Sequence, residues 1–558
     1  MRPTLAGTGG WLAEPWSRLA RRLGTDVREL ACLAGIILAG SVLRFVNLPV
    51  RGGWDSDQGT EMLALRAALS TGRLPTFGPE AISVTSSFHH GALYYDLILP
   101  AAWLGNGDPV WVVAEIALLS LLVIPIVWWI ARTIGGAAAG LTGGLMAATS
   151  ASLIGYATFI WNPTIIEPAA AIAFLGAWQA LRTRRAAWWV VAAVGAALVS
   201  QAHVAAGVIV LPLGVAFLVD LSRGPAARRR RILGWGLAGV AIFVATYLPL
   251  IVWEMRHNFV ETRGIVAHFT QPNSGSSAGP LLRLVFATIR ILAWPLTRWP
   301  MIDLKAAFLP AFTLASVVLI GLVWRFGATT RRKPDGRTPQ ASPQPSRQQQ
   351  EAVPSEIERL GVRFVGGLLL LLVVVLGLGL HSVSEVQELP TEQYHVVADP
   401  LVLVAVGLIV GGLWRAMPAR GLAAVRRLGA AAFVVVLVAW NAGHWPPLTS
   451  ADGGWPAAQA AATRIERETD GSTVAFVPLF AAKGSDAYSY PLALEGVSIE
   501  TPEKATIIVV LCDTFWTEGC DGSAEEAWLA QSKLGPLLKI DRFHAAPDRI
   551  LTVYRKVP

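Results

Sequence analysis

Charged side chains are scarce in this sequence. Asp, Glu, Lys and Arg together make up 15% of the 558 residues, whereas hydrophobic residues make up 53%. A typical soluble domain has about 25% charged residues, so this composition excludes a soluble globular protein of ordinary makeup. The net charge of +8 does not predict a nucleic-acid partner, because the arginines form short clusters between apolar runs, as the positive-inside rule describes for membrane proteins.

Cysteine is also scarce, with three residues in the chain. Cys32 falls in the first apolar run, whereas Cys512 and Cys520 lie close together in the last polar segment. No metal-ligand spacing involves them, which excludes a cysteine metal site. The pair forms a disulfide if its segment faces an oxidising compartment, and two unrelated reduced thiols are the alternative.

Two further patterns are missing. The N-terminus is basic and has no early apolar core followed by a small-residue cleavage site. We therefore expect no removable signal peptide, and the first span remains as an uncleaved anchor. The sequence also shows no convincing internal repeat, which argues against transporters built from inverted repeats.

Apolar runs of membrane-spanning length are what the sequence has in abundance. A helix needs about 20 apolar residues to cross the lipid bilayer. About eleven such runs predict a polytopic α-helical protein of the plasma (inner) membrane, with spans near residues 30–48, 109–131, 136–157, 164–181, 186–202, 204–220, 232–253, 304–324, 363–380, 396–414 and 429–446.

Arginine clusters between these runs predict the orientation, because cytoplasmic segments are enriched in Lys and Arg. A cytoplasmic N-terminus makes every predicted inner segment basic, and an odd number of spans then places the C-terminus outside. The predicted organisation is a cytoplasmic N-terminus at 1–29, a transmembrane module at 30–447 with an outer loop at 49–108 and a cytoplasmic linker at 325–362, and an extracytoplasmic domain at 448–558.

The C-terminal segment reads as a small α/β domain. Short β-prone runs, VAFVPLF, TIIVVL and ILTVYRKV, alternate with helical stretches near 456–469 and 524–533. The linker contains PQASPQPSRQQQ, a Pro, Ser and Gln bias that is typical of a tether.

The outer loop at 49–108 concentrates residues that can carry chemistry. Residues 58–70 have helical spacing and predict an amphipathic helix along the membrane surface, with Asp55 and Asp57 at its start. His89 and His90 follow in the same loop. As a helix N-cap, Asp57 needs no further role, and this structural interpretation stands beside a catalytic one.

The order of motifs in this loop resembles a known family. Asp57 with Gln58, GRLP from Gly72, HHGALYY from His89 and the LGNGDP turn follow the first span in that order. They resemble the first external loop of the GT-C membrane glycosyltransferases, especially the dolichyl-phosphate-mannose protein mannosyltransferases and the lipid A aminoarabinose transferase. The resemblance covers roughly residues 30–260. Gln58 in place of an acid and HHG in place of a Lys-Pro-Pro-like triplet depart from the family pattern.

This resemblance implies a GT-C-like fold and an activity. The family transfers a sugar, with inversion, from a polyprenyl-phosphate donor to an acceptor hydroxyl at the outer membrane face. Such chemistry needs a carboxylate base for the acceptor and cations for the departing phosphate. The resemblance makes Asp57 the base and Asp55 a second acid, with solvation in a flexible loop as the alternative for Asp55. His89 and His90 contact the phosphate or bind a divalent metal, with ordinary interfacial hydrogen bonding as the alternative; no other cofactor is expected.

A second group of polar residues follows the seventh span, in LPLIVWEMRHNFVETRG. Glu254, Arg256, His257 and Arg263 are costly to hold at a membrane boundary unless they pair or bind a ligand. An arginine fork suits the donor phosphate. An internal salt bridge from Glu254 to Arg256 or Arg263 is the structural alternative.

Other candidates lie further along the chain. Tyr394 and His395 open a late span and, by the resemblance, face the donor pocket, although interface anchoring explains them equally simply. Glu167 is expected to cap a helix, and His203 to be an interior hydrogen-bonded residue. The segment around Tyr488 is a candidate for holding the acceptor, whose identity as protein, lipid or glycan stays open.

Two other functional classes compete with the enzyme. A transporter or lipid flippase places ionisable groups near the middle of the bilayer, whereas most acids of this sequence fall at the predicted outer ends of spans. A structural membrane subunit would use the same residues only for solubility. The acids therefore favour catalysis at the membrane interface.

Overall fold

The computed structural model describes residues 10–82, 87–270, 279–298, 304–330, 355–379, 395–415, 420–469, 471–480 and 484–557. The first part of the chain forms short helices around the predicted outer loop and then long apolar ones. These helices are α1 Gly10–Leu23, α2 Val27–Phe45, α3 Leu48–Arg51, α4 Ser56–Thr71, α5 Leu93–Leu104, α6 Pro109–Leu121, α7 Val123–Thr149, α8 Ala151–Tyr156, α9 Ile166–Thr183, α10 Trp188–Ala202 and α11 Val210–Ser222.

The second part continues the bundle and ends in the C-terminal domain. Its helices are α12 Ala226–Thr246, α13 Leu248–Arg256, α14 Val260–Thr270, α15 Pro280–Thr297, α16 Leu304–Thr330, α17 Glu356–Gly379, α18 Asp399–Arg415, α19 Arg420–Gly443, α20 Gly454–Thr469, α21 Asp486–Leu494 and α22 Ser523–Gln531. The strands are β1 Glu80–Ile82, β2 Ser87–His89, β3 Val474–Pro478, β4 Ile507–Asp513, β5 Leu537–Ala546 and β6 Arg549–Lys556.

Helix starts follow ordinary capping chemistry. Asp26 accepts a hydrogen bond from the Glu29 amide at 2.6 Å at the start of α2, and Asp108 accepts one from Val110 at 2.9 Å at the start of α6. These carboxylates satisfy amides that have no partner inside the helix. Polar residues at the ends of apolar runs therefore mark where the bundle helices begin.

The bundle is mostly made of helices that are long and apolar enough to cross a membrane. Among the described residues there are eight, or nine if the pair α12 and α13, bent by 56°, counts as one broken span. The 41-residue stretch Pro109–Thr149 is one of the eight. It is broken at Gly136, where φ is +79°, and beyond the break Gly144 lies against Ile124 and Trp128. The chain therefore reverses there, as the two predicted spans 109–131 and 136–157 require.

The described helices differ from the eleven predicted spans in three places. Helix α10, at the predicted span 186–202, has 15 residues and is shorter than the roughly 20 residues that a span needs. Helix α2 occupies the first predicted span, but its 19 residues include Arg28, Glu29 and Arg44, so it is not among the eight apolar helices. Helix α15 passes the same test and was missed, because Arg283 and Arg290 interrupt its apolar run. Helices α16 and α17 also extend into both ends of the predicted linker 325–362, and residues 331–354 lie outside the described residues.

Basic side chains meet at one end of the bundle, which we call the basic end. Glu29 binds Arg132 at 2.7 Å, and Glu358 binds Arg415 at 2.9 Å and also Arg325. Gly135 follows Arg132 by three residues, and a Cβ atom on Gly135 would lie 3.9 Å from the Arg415 guanidinium. The ion pairs of Glu29 and of Glu358 are therefore neighbours. This clustering agrees with the predicted common side of the arginine segments; the absolute orientation in the membrane stays a prediction.

The C-terminal domain packs against the opposite end, which we call the rim. Its four-stranded sheet has the order β3-β4-β6-β5, with β3 and β4 parallel and the other pairs antiparallel. The sequence predicted β3, β4, β6 and the helices α20 and α22. It missed β5, an edge strand whose Lys539, Asp541 and Arg542 break the apolar pattern, as is common at sheet edges.

Docking of this domain onto the first loop involves very close backbone contact. A Cβ atom on Gly59 of α4 would lie 2.0 Å from the Asp486 carbonyl oxygen of α21, so glycine is required there. The Trp54 indole donates to the Ala487 carbonyl at 2.7 Å, and its ring lies 4.6 Å from that of Trp455. Helix α4 thus lies under protein, and its predicted contact with the membrane surface is not what orders it.

Cys512 and Cys520 form a disulfide, and Cys32 is free. In unfolded, unreduced protein we expect an alkylating reagent to modify Cys32 alone, and all three cysteines after reduction, measured by intact mass. Replacing both cysteines with serine should lower the stability of the C-terminal domain by about 2–3 kcal/mol, since the bond closes a short loop. Modification of all three thiols without reductant would contradict the pairing.

Candidate active site at the rim

The N-terminus of α4 is the centre of the candidate site. Asp55 is the N-cap: its Oδ1 accepts a hydrogen bond from the Asp57 amide at 2.8 Å, and the Asp55 amide donates one to Gln58 Oε1 at 2.9 Å. This reciprocal capping box shows that the capping interpretation belongs to Asp55, and that applying it to Asp57 was wrong. Asp57 lies in the first turn and is half-buried. Gln58 stands where the family pattern has an acid. The amide has a structural role that a carboxylate could not fill, because its nitrogen donates a hydrogen bond to the Ile160 carbonyl.

A cavity of about 330 Å³ lies on one side of this helix start. We call it the arginine cavity. Its walls include Asp55 and Gln58 on one side, Gly155 and Phe159 of the bundle on another, and two guanidinium groups; the charged lining residues are Arg51, Asp55, Arg298 and Asp452. Asp452 is already engaged, because it accepts hydrogen bonds from the Trp54 and Gly454 amides at 2.8 and 2.9 Å.

Arg51 is buried without an acidic partner. Its side chain is 4% exposed and donates to the carbonyls of Leu43 and Pro446. Within the described part of the chain, no carboxylate lies within salt-bridge distance of it, and its Nε has no hydrogen-bond partner. A buried cation without an acid is costly unless a ligand supplies the negative charge. Arg51 therefore makes the arginine cavity a candidate anion site.

Arg298 contributes the second cation. It follows α15 in a left-handed conformation, with φ of +47°. Its guanidinium lies against Gly155, where a Cβ would approach it to 3.1–3.3 Å. A planar guanidinium can bind two phosphate oxygens at once. Neither arginine was predicted as a site residue. Arg51 directly precedes the GGWD segment, and Arg298 follows helix α15, which the apolar pattern did not predict.

A second cavity of about 230 Å³ lies on the other side of Asp55. We call it the aromatic cleft. Asp55 and Ser56 form one wall, and the C-terminal domain forms the rest through Pro478, Phe480, Gly484, Ala487, Tyr488, Leu511, Asp513, Phe515, Trp516, Asp548 and Arg549. Asp55 lines both cavities. Asp55 therefore lies at the boundary between the two cavities.

His89 and His90 have structural partners in the described structure. The His89 amide and ring bind Glu261 of α14 at 2.6 and 3.0 Å. The His90 ring is buried, accepts a hydrogen bond from the Val204 amide at 3.3 Å and lies 4.7 Å from the His203 ring. No group of three His, Cys, Asp or Glu side chains with metal-binding geometry occurs among the described residues. The divalent metal stays an untested prediction.

The second polar group packs on the first loop rather than around the arginine cavity. Glu254 accepts hydrogen bonds from the Glu261 and Thr262 amides at 3.0 and 2.9 Å. It therefore caps α14. Arg263 acts on its charge only from a distance, since no salt bridge joins Glu254 to Arg256 or Arg263 among the described residues. His257 stacks on Trp253 with ring centroids 3.9 Å apart. Arg256 and Arg263 are exposed, and neither lines the arginine cavity or the aromatic cleft.

The remaining candidate residues from the sequence lie at or near the starts of two bundle helices, α9 and α18. Tyr394 lies outside the described residues. His395 is buried at the turn that precedes α18. Glu167 is buried in the first turn of α9, with Asp399 and Arg44 as its charged neighbours. Some carboxylates thus lie inside the bundle, which the sequence analysis underestimated.

Comparison with known proteins gives the fold. No protein-family model and no curated protein sequence matches the chain. Among solved structures, the aminoarabinose transferase ArnT from Cupriavidus metallidurans superposes with a TM-score of 0.57 without ligand and 0.58 bound to undecaprenyl phosphate, at 12% and 13% identity, covering 94% of this chain and 97% of that chain in both cases. The chain has the GT-C fold.

This GT-C fold confirms the architecture that the motif order implied. The oligosaccharyltransferase of Archaeoglobus fulgidus is also similar, with a TM-score of 0.47 and 12% identity over 87% of this chain and 69% of that chain. In the present GT-C fold, the first loop and the C-terminal domain together enclose the start of α4 at the rim. The roles of individual residues are treated as proposals below.

Glu61 lies one turn beyond Asp57 in α4, and the pKa of its side chain reports how deeply this helix is buried. It is 2% exposed beside Tyr94. Burial raises the pKa of Glu61 to about 8; the Tyr94 hydroxyl opposes the shift and the Asp57 charge adds to it. Because the folded pKa lies above the ordinary value of 4.5, the neutral carboxyl stabilises the native state fully below about pH 4.5, and this stability is lost as the pH rises towards 8.

We expect Glu61→Gln to remove this pH dependence. At pH 8 the variant should be more stable than the native protein by on the order of 4 kcal/mol, and at pH 4.5 the two should be about equal. The measurement is the apparent Tm in detergent between pH 4.5 and 8. Glu495→Gln, at an exposed position, is the control that should follow the native curve. Parallel curves for Glu61→Gln and the native protein would show that Glu61 is not buried in its neutral form.

Proposed function

We propose that this protein is a membrane glycosyltransferase that moves a sugar from a polyprenyl-phosphate donor to an acceptor hydroxyl at the rim. One observation carries the proposal: Asp55 separates, and lines, two cavities of different chemistry. The arginine cavity has two cations without acidic partners among the described residues, which suits a phosphate. The GT-C fold supports the same reaction class, since the similar ArnT structure is bound to undecaprenyl phosphate.

The donor phosphate is assigned to the arginine cavity. Arg298 at its wall and the buried Arg51 supply positive charge for a phosphate that becomes more negative as the glycosidic bond breaks. Exposed apolar side chains on nearby helices, such as Trp111 and Leu118 on α6, suit contact with lipid, in which the polyprenyl chain is soluble. These placements replace Arg256 and Arg263 as the leading phosphate ligands.

The acceptor hydroxyl is assigned to the side of Asp55 that faces the aromatic cleft. A carboxylate at Asp55 or Asp57 removes the hydroxyl proton while the acceptor oxygen attacks the anomeric carbon. The bond from that carbon to the phosphate oxygen breaks, and its electron pair leaves with the lipid phosphate in the arginine cavity. Because attack and departure occur from opposite sides, the anomeric configuration inverts.

A transporter or lipid flippase is the second candidate, and one observation favours it. Glu167 and Asp399 are buried neighbours in membrane-length helices, with Arg44 and Arg290 close by. Intramembrane ionisable residues commonly mark transport pathways. A flippase moves donor lipid across a bilayer without consuming it, so measuring donor consumption and donor translocation on the same liposomes separates the two functions.

The base is tested by Asp55→Asn and Asp57→Asn. Asparagine is as good an N-cap as aspartate, so Asp55→Asn removes the charge and keeps the helix. We expect Asp55→Asn to lower turnover by about 100-fold or more with an unchanged Tm, measured as donor consumption from a panel of polyprenyl-phosphate sugars in lipid. A loss confined to Asp57→Asn would assign the base to Asp57, as predicted from the resemblance. Full activity in both would remove the proposed base.

The phosphate site is tested by Arg298→Ala. Removing this cation should weaken binding of polyprenyl phosphate by about 10-fold or more, because a charge-assisted contact is lost. Arg66→Ala, an exposed arginine on α4, is the matched control that should bind normally. Binding is measured on protein in nanodiscs with undecaprenyl phosphate. If Arg256→Ala weakens binding and Arg298→Ala does not, the phosphate lies at the second polar group instead.

A further inference from the structure

We propose that the aromatic cleft is the acceptor subsite and that the acceptor it binds is an uncharged saccharide. This inference rests on the proposed function and adds the acceptor class, which sequence analysis left open. It is carried by the aromatic walls of the cleft, by its excess of carboxylates and by the position of Asp55 at its inner end.

Aromatic rings form an unusually open wall of the cleft. Phe480 and Trp516 stack with their rings 5.3 Å apart and within 7° of parallel, and Phe515 meets Trp516 edge-on at 4.7 Å. Phe515 is 66% exposed. Apolar rings held in water favour a ligand that covers them. The C–H faces of a sugar ring suit the negative face of an aromatic ring, and its hydroxyls stay free for polar contacts.

Carboxylates dominate the charge of the cleft. Asp55, Asp513 and Asp548 line it together with one cation, Arg549, so three negative charges face one positive charge. Arg549 is held by Asp513 at 3.5 Å and donates to the Trp54 carbonyl at 2.6 Å. An anionic acceptor such as a sugar phosphate is repelled here, whereas neighbouring hydroxyls of a neutral saccharide donate to carboxylate oxygens. The donor phosphate is directed to the arginine cavity for the same reason.

The aromatic segment is held in place before any ligand arrives. The Cys512–Cys520 disulfide brackets Phe515 and Trp516. At its far end, Arg542 donates to the Cys520 carbonyl at 2.7 Å, and near its start the Thr514 amide donates to the Asp548 carbonyl at 2.8 Å. A rigid wall lowers the entropy cost of binding. The disulfide thereby has a functional reason beyond the stability of the small domain.

The size of the cleft limits the ligand. Its volume of about 230 Å³ is below the ~300 Å³ at which drug-sized pockets begin. It therefore suits the terminal one or two rings of a glycan, with the rest of the chain in solvent. A terminal sugar stacked on Phe515 or Trp516 extends towards Asp55, the residue shared with the arginine cavity.

The test is saccharide binding by the full-length protein in nanodiscs, measured by saturation-transfer NMR and titration. The probes are the neutral disaccharides mannobiose, arabinofuranobiose and maltose, with mannose 6-phosphate as the anionic probe. We expect at least one neutral disaccharide to bind and mannose 6-phosphate not to bind. Phe515→Ala and Asp548→Asn should each weaken binding at least 5-fold. Leu538→Ala, at a position that is 58% exposed on the same domain and outside the cleft, should not change it.

Several outcomes overturn the proposal. These are failure of every neutral disaccharide to bind, binding of mannose 6-phosphate as tight as that of the neutral probes, and binding that Phe515→Ala leaves intact. Binding at the cleft of a Ser/Thr peptide, or of Mn²⁺ alone, in preference to saccharides also overturns it. Donor consumption by the native protein is recorded separately. If saccharides bind while no donor is consumed, the proposed function fails and the saccharide site stands.

Discussion

The close contact between α4 and the C-terminal domain is the constraint on which the rim depends. Gly59 allows two backbones to meet at a separation that no side chain permits, and the Trp54 indole and the Arg549 guanidinium hold the segment just before the helix. This contact places Asp55 at the boundary between two cavities. Without it, the two capping hydrogen bonds of Asp55 would still form, but the residue would face solvent instead of two binding spaces.

Charged side chains are paired differently at the two ends of the bundle, and their sign differs on the two sides of Asp55. Arginines of the basic end pair with Glu29 and Glu358, so their charge is balanced within the protein. Arg51, near the rim, has only carbonyl partners in the described structure. An unbalanced buried cation is maintained at a cost in stability, and a functional anion is the simplest reason for keeping it. On the other side of Asp55 the carboxylates outnumber the cations, so the two substrates are separated by charge.

Much of the architecture was predictable because it follows from local patterns. Apolar length predicted most of the bundle helices, and alternating β-prone runs predicted three of the four strands in the C-terminal sheet. Helix α15 and strand β5 were missed for one reason: each carries charged residues that interrupt its apolar pattern. In the folded protein, Arg290 of α15 is buried with Asp399 of α18 as a charged neighbour, a tertiary compensation that no local pattern predicts.

Apolar length and motif order are local properties of the chain, so they were enough to predict a polytopic membrane protein with a small terminal α/β domain and to indicate the GT-C fold. Which charged residues share a cavity depends instead on tertiary packing. Arg298 is far from Arg51 and Asp55 in sequence, and its meeting with them depends on how α15 and the first loop pack. Arg256 looked equally suitable in sequence, yet it is exposed, because burial is a property of packing.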